Sequence, residues 1–278
     1  MNVEEIIELA LREDIGEGDH TTLATVSRRQ RAHARLLIKG KGVICGIDIA
    51  RRIFQRLDSS MEFTEILHDG AEVEAGEIGF TLYGNARAIL MGERTALNFM
   101  QRLSGIATQT CQLVKLTEGF PVRLLDTRKT TPLLRQLEKY AVRVGGGVNH
   151  RFGLFDMILI KDNHVDYAGG IAQAIRAVNQ YLKENHLDLK VEIEVRNLTE
   201  LNHVLDEGHI HRIMLDNFTP DELKMAIKII GGRFETEASG GITLQNIREY
   251  AATGVDYISV GALTHHIKSL DLSLKAYI

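Results

Sequence analysis

Six short β-rich runs recur through the second half of the chain: Val122–Leu125, Met157–Ile160, Val191–Val195, Arg212–Leu215, Phe234–Ala238 and Tyr257–Val260. Helical patterns lie between them, at 132–143, 168–184, 198–207, 220–230 and 243–252. The last four runs start about 22 residues apart. Strands alternating with helices require βαβ crossovers, and hence a parallel sheet. Six strands fall short of the eight that close a (β/α)₈ barrel. The expectation is an open, incomplete α/β barrel. Helix starts agree, with Pro220, Asp221 and Glu222 after Thr219, and Thr199 and Glu200 after Asn197.

The first hundred residues have a different rhythm. Val3, Ile6, Ile7, Leu9 and Ala10 form one helical stripe, and Gly16–Thr22 reads as a loop. Strands are expected within 30–45, a helix near 47–57, and short strands within 61–83 separated by Gly70, Gly76 and Gly79. Residues 86–117 read as two helices broken at Ser104-Gly105. The chain is therefore expected to divide into an α/β unit over 1–104 and a barrel over 105–266.

Composition sets outer limits. With 278 residues, 44% of them hydrophobic, the chain can bury a full core without staples. The two cysteines, Cys45 and Cys111, make neither a disulfide framework nor a Cys-rich zinc site, and they fit a reducing cytoplasm. No apolar run approaches the ~18 residues of a membrane helix, and the acidic start Met1-Asn-Val-Glu-Glu is unlike a signal peptide. The net charge of −4 argues against a nucleic-acid binder. Yet Arg123 to Lys161 holds eight Lys and Arg against three acids. A local positive region in an acidic chain suits a small anionic ligand in a cleft.

Active sites of parallel α/β folds lie at the C-terminal ends of strands. Here those ends read Asp126-Thr-Arg-Lys-Thr-Thr131, Lys161-Asp-Asn-His164, Glu192 with Glu194, Asp216-Asn217, Ser239-Gly-Gly241, and Gly261-Ala262 with His265 just beyond. Ser239, Gly240 and Gly241 offer unobstructed backbone N–H groups to a phosphate, and Gly261 permits close approach nearby. Glu194 and Asp216 are hard oxygen ligands for magnesium, or acceptors for ribose hydroxyls. Glu192 and Glu194 sit two apart on one face; Glu194, nearer the strand's end, is favoured for the site. Arg128, His150, Arg151 and Lys161 supply donors for carboxylates. The set suits a magnesium-bound phosphorylated sugar and a small carboxylate.

Asp126-Thr-Arg-Lys-Thr-Thr-Pro132, Gly145-Gly-Gly147 with Asn149-His-Arg-Phe-Gly153, and Leu159-Ile-Lys-Asp-Asn-His164 closely resemble the quinolinate phosphoribosyltransferase family. Leu11–Thr22, Gly92–Asn98 and Glu237–Ile242 look like further blocks of that family, so the resemblance runs in order from about 11 to 265. It implies an N-terminal α/β sandwich plus an open α/β barrel of the type II phosphoribosyltransferase kind. The tail, about 267–278, would return to the N-terminal domain. It implies the joining of quinolinate to phosphoribosyl pyrophosphate (PRPP), yielding nicotinate mononucleotide, pyrophosphate and carbon dioxide, a step of NAD synthesis, with Mg2+.

By the same resemblance, Arg128, His150, Arg151 and Lys161 would hold quinolinate, with Arg94 donated across the interface of a homodimer or larger assembly. Lys129, Glu194, Asp216, Ser239, Gly240, Gly241, Gly261 and His265 would engage PRPP, with magnesium on Glu194 and Asp216. Lys129, Glu194 and Asp216 would be catalytic. Which arginine meets which carboxylate stays open. Leu133 stands where the family pattern has glycine, and Val144 where it often has cysteine; neither carries a group the chemistry uses. Other readings of the same residues are an aldolase-type barrel with Lys161 as Schiff base, a non-catalytic phosphosugar-binding domain, and a relative of the same fold associated with molybdenum transport.

Overall fold

In the run Val191–Val195 the aliphatic side chains point to one side and the two glutamates to the other, and both sides are covered. That pattern belongs to a strand enclosed by helices on one face and by a polar interior on the other. The structure is a computed structural model and describes residues 2–277.

The elements of the first half are helices α1 (Val3–Ile15) and α2 (His20–Thr25), strands β1 (Arg31–Ile38) and β2 (Gly42–Val43), helix α3 (Ile47–Leu57), strands β3 (Glu62–Glu65), β4 (Glu72–Val73) and β5 (Ile78–Asn85), and the long helix α4 (Ala86–Leu116). There follow β6 (Arg123–Leu125), α5 (Arg135–Val144), β7 (Ile158–Ile160), α6 (Asp162–Ala168), α7 (Ile171–Glu184), β8 (Val191–Val195) and α8 (Leu198–Glu207). The chain ends with β9 (Arg212–Asp216), α9 (Pro220–Ile230), β10 (Glu235–Ser239), α10 (Ile247–Ala251), β11 (Tyr257–Ser259), α11 (Ala262–His265) and β12 (Leu272–Tyr277).

Two compact units result. The first contains the residues up to Gln112, Thr130–Gly146 and the residues from Ala262. Its four-stranded antiparallel sheet has the order β12-β1-β5-β3. Leu36, Ile38, Phe80 and Leu82 of that sheet are buried with Ile53 and Phe54 of α3, and Phe54 meets Phe80 edge-on at 6.3 Å between centroids. Packing gives Thr130–Gly146 to this unit, whereas a cut at 104 assigns it to the barrel. Two contacts tie it to the first unit: Tyr140 Oη of α5 donates to Asp69 at 2.8 Å, and the guanidinium of Arg102 on α4 reaches the same segment. Its Nε donates to the buried Glu138 of α5 at 2.8 Å, and its Nη2 donates to Thr131 Oγ1 at 2.7 Å.

The expected helix break at Ser104-Gly105 does not occur; α4 runs unbroken from Ala86 to Leu116. The two residues are docking positions instead. Ser104 Oγ accepts the Cys45 N–H at 2.9 Å and donates to the Cys45 carbonyl at 3.1 Å. A Cβ at Gly105 would lie 2.5 Å from the Lys268 carbonyl oxygen. Glycine is there for close approach, and the helix tolerates its propensity cost of roughly 1 kcal/mol because a long, packed helix is held by tertiary contacts.

The second unit is Leu113–Lys129 with Gly147–Gly261. Its six strands are all parallel, in the order β6-β11-β10-β9-β8-β7. Sequence neighbours β7 to β11 lie side by side and β11 returns to β6, so the ring lacks only the β6–β7 pairing. This is the open barrel expected from the sequence. On the unpaired side of β6, Val148 makes an isolated parallel bridge to Leu125. Local chemistry sets the helix limits. Thr219 and Glu222 form a capping box before α9, Pro220 occupies its first turn, and Gly231 ends it in a left-handed conformation.

Leu133, where the family pattern has glycine, adopts φ 69° and leaves 67% of its surface exposed. A left-handed leucine costs about 1–2 kcal/mol, and glycine returns about 0.5–1 kcal/mol of that through chain entropy. Leu133→Gly should therefore stabilise the protein by about 0.5–1 kcal/mol. A denaturant midpoint below that of the parent chain would refute this.

Candidate active site

The second unit gathers most of the expected site residues at its strand ends. After β6, the fully buried Asp126 accepts Asn149 Nδ2 at 2.6 Å and the His150 N–H at 2.8 Å. One carboxylate thus ties the end of β6 to the segment that carries His150 and Arg151. The Lys129 N–H donates to Thr127 Oγ1 at 3.1 Å, which shapes the turn bearing Arg128 and Lys129. Arg151 Nη1 donates to the Met157 carbonyl at 3.1 Å, and Asp156 collects the N–H groups of Phe152 and Gly153 at 2.6 and 2.8 Å. Burial first, and then the neighbouring Arg128 guanidinium, press the Arg151 pKa down. Two guanidiniums held close enough to oppose each other are arranged for an anion.

Lys161 ends β7 and precedes α6, where its N–H donates to His164 Nδ1 at 2.9 Å. Its ammonium lies 3.3 Å from Glu194 Oε2. Burial raises the Glu194 pKa; Lys161 opposes that rise and Asp216 adds to it. Asp216 is likewise raised, first by burial, with Lys161 and Lys129 pulling the other way. Lys129, Lys161, Glu194 and Asp216 therefore sense one another. Cations and acids interleave here.

The ends of β9 and β10 fit together through glycine. Asp216 pairs with Ser239 in register, and the Asn217 N–H donates to the Ser239 carbonyl at 2.8 Å. Asn217 adopts φ 57° and donates from Nδ2 to Asp216 Oδ2 at 2.6 Å. Gly240 and Gly241 have φ 93° and 63°, and a Cβ on Gly240 would overlap the Asn217 carboxamide. Glycine at 240 is thus a requirement of both conformation and space. Gly261 closes the second unit just after β11. Arg94 and His265 belong to the first unit. Arg94 lies on α4 with 72% of its side chain exposed, and His265 ends α11 with its ring against His266.

Glu192 and Glu194 share one face of β8 and differ in depth. Glu194, two residues nearer the C-terminal end, keeps 10% side-chain exposure, whereas Glu192 has none. Beneath the mouth, His150 Nε2 lies 3.0 Å from Glu192 Oε2 and 3.5 Å from Glu237 Oε2, and Arg212 Nη1 lies 3.0 Å from Glu237 Oε2. Burial, then Glu237, pushes the Glu192 carboxyl up to about 7. Burial would lower the His150 pKa, but the two carboxylates outweigh it and lift it to about 9. The Arg151 N–H donates to His150 Nδ1 at 2.7 Å and works against a second ring proton. Glu237 and Arg212 were missed as site residues from sequence. The available signal was a charged residue inside a parallel strand, with Glu237 at the middle of β10 and Arg212 at the head of the apolar Ile213–Leu215 run of β9.

Comparison with known proteins came out consistently. The family model for the quinolinate phosphoribosyl transferase N-terminal domain matches residues 19–104, and that for the C-terminal domain matches 106–275. A decarboxylating quinolinate phosphoribosyltransferase from Nicotiana tabacum, named mitochondrial, is 45% identical over 289 residues, spanning 99% of this chain and 82% of that protein. A probable nicotinate-nucleotide pyrophosphorylase (carboxylating) from Bacillus subtilis is 44% identical over 94% of this chain and 89% of its own. The solved nicotinate-nucleotide pyrophosphorylase from Francisella tularensis superposes with a TM-score of 0.93 at 43% identity, covering 99% of this chain and 96% of that one.

Proposed function

The chain belongs to the quinolinate phosphoribosyltransferase family, and from that premise we propose how its strand ends carry out the family reaction. The enzyme transfers phosphoribosyl from PRPP to quinolinate with loss of carbon dioxide, giving nicotinate mononucleotide for NAD synthesis. The observation that carries the assignment of roles is the cluster itself: Arg128 beside Arg151, and Lys129 and Lys161 around Glu194 and Asp216, at the ends of one parallel sheet.

Arg128, Arg151 and Lys161 receive the pyridine diacid. His150, expected from the resemblance to touch it, instead turns Nε2 to Glu192 and Glu237 and Nδ1 to the Arg151 N–H, and so supports the segment that carries Arg151. Lys129, Glu194, Asp216, Ser239, Gly240, Gly241, Gly261 and His265 receive the phosphosugar. Lys161 meets a carboxylate, unlike the apolar pocket that prepares a Schiff-base lysine. The pair Glu194 and Asp216 fits a divalent ion, since each carboxyl is raised and Asp216 is one cause of the shift at Glu194; adding a cation relieves that repulsion. Magnesium held there, directly or through water, would offset charge on the pyrophosphate.

The ring nitrogen attacks C1′ of the ribose as pyrophosphate departs. Positive charge grows on the sugar, where Glu194 or Asp216 stabilises it, and negative charge grows on the leaving group, where Lys129 does. In the ribosylated intermediate the C2–carboxylate bond then breaks and carbon dioxide leaves. The positive ring nitrogen stabilises the electron pair that stays on C2, and C2 takes up a solvent proton to give nicotinate mononucleotide. Arginine forks hold the C3 carboxylate, and weaker pairing at C2 avoids stabilising the ground state.

Arg94 is proposed to reach a neighbouring subunit's site in a homodimer or larger assembly, and its exposed side chain supports this. Residence in the cytoplasm is part of the same reading, supported by the two-cysteine composition.

Carboxyl-labelled quinolinate with PRPP and Mg2+ should release labelled gas; none, from folded protein, ends the proposal. Lys129→Ala should lower kcat/KM with PRPP by the equivalent of ~2–5 kcal/mol, and near-normal kcat/KM would remove Lys129 from its role. Mixing Arg94→Ala with Lys129→Ala protein, after subunit exchange, should restore activity through hybrid dimers with one intact site. Proven exchange without recovery would count against donation in trans.

A further inference from the structure

The interior of the open sheet holds charges that the reaction scheme does not use. Glu192 on β8 and Glu237 on β10 are fully buried, with Arg212 on the strand between them. His150 comes from the other side of the sheet, beyond β6, and its ring crosses the interior to meet both carboxylates at 3.0 and 3.5 Å. Its second nitrogen, Nδ1, accepts the N–H of Arg151 at 2.7 Å, and Arg151 Nη1 reaches the Met157 carbonyl. Asp126 fixes the backbone of the same segment through Asn149 and His150. The ring therefore has carboxylates at ion-pair distance from one nitrogen and a hydrogen bond from its neighbour's backbone at the other.

We propose that Glu192 and Glu237 are positioning residues of the quinolinate half-site: they clamp the His150 ring across the sheet interior, and the clamped ring sets the backbone and guanidinium of Arg151. This rests on the assignment of Arg151 to quinolinate made above. A carboxylate clamp behind an arginine fork gives the diacid a fixed geometry, and displacement of such a fork by about 1 Å can cost 10²-fold. Buried charges without that task would more cheaply be apolar, since breaking a buried pair is costly and replacing it whole is often neutral. Glu192 and Glu237 lie two residues below Glu194 and Ser239 on their strands, but both turn to His150, so their loss should fall first on the diacid side.

The test uses the intact enzyme and the isosteric variants Glu192→Gln and Glu237→Gln. Each should raise KM for quinolinate by ~10-fold or more, the scale of lost supporting-shell contacts, with KM for PRPP changed by less than about 2-fold. The same variants should weaken binding of phthalate, an unreactive diacid without the ring nitrogen, and a folded Glu237→Asp should recover part of the loss. If both KM values move together, or neither moves in folded variants, the clamp is only structural and the proposal fails. Amide exchange at Arg151 in the unmodified protein provides a readout that needs no variant. Protection supports the bond to Nδ1, and exchange as fast as an exposed amide overturns it. Failure to release labelled gas from the unmodified enzyme would instead refute the functional assignment, so the two failures are distinct.

Discussion

A parallel sheet that does not close must hold its open side by something other than strand pairing. Here the task falls to buried polar contacts. Asp126 at the end of β6 binds Asn149 and His150, and His150 reaches across to Glu192 and Glu237. An unpaired buried carboxylate costs several kcal/mol, so each acid in this group depends on its donors being in place, Asn149 and the His150 N–H for Asp126, and His150 and Arg212 for the two glutamates. The same dependence gives the segment 147–151 one position, and with it the groups it carries to the mouth.

Above that layer, the mixing of signs follows from the chemistry. A dianion and a pyrophosphate need cations, whereas a pentose passing through positive charge needs an acid at hand. These charges must lie close to act on one bond. Lys161 at 3.3 Å from Glu194, and Lys129 within reach of Asp216, are the result. A site separated into a cationic and an acidic half would keep one of the two groups too far from the carbon that changes bonds.

Much of this was legible in the sequence where one residue type has one physical meaning. Thr219, Pro220 and Glu222 mark a helix start, and the structure places α9 there. The alternation of Val191–Val195 marks a strand, and residues 191–195 form it. The strand-end reading picked out Arg128 and Arg151, which are neighbours in the structure, and Lys129, Lys161, Glu194 and Asp216, which form a second group. Ser104-Gly105 misled because the same pair that ends a helix also permits a backbone to dock against one; only the Lys268 carbonyl decides between them. Glu237 and Arg212 were silent because their meaning depends on partners from other strands. The helix α5 was assigned by its place in the βαβ rhythm, whereas Arg102 and Glu138 decide where it packs.

Leu133 shows the limit of a motif as a physical statement. The resemblance leads to an expectation of glycine at that point, and Leu133 adopts φ 69°, in the left-handed region that favours glycine. Arg135 Nε donates to Thr130 Oγ1 at 3.0 Å and the Leu134 N–H to the Thr131 carbonyl at 3.1 Å, so the turn is held from both flanks. Contacts of that kind can impose a conformation costing about 1–2 kcal/mol on a residue that would not choose it. What the contacts after Lys129 fix is therefore a backbone path. Glycine is one way to reach it, and a hydrogen-bonded frame around a strained leucine is another.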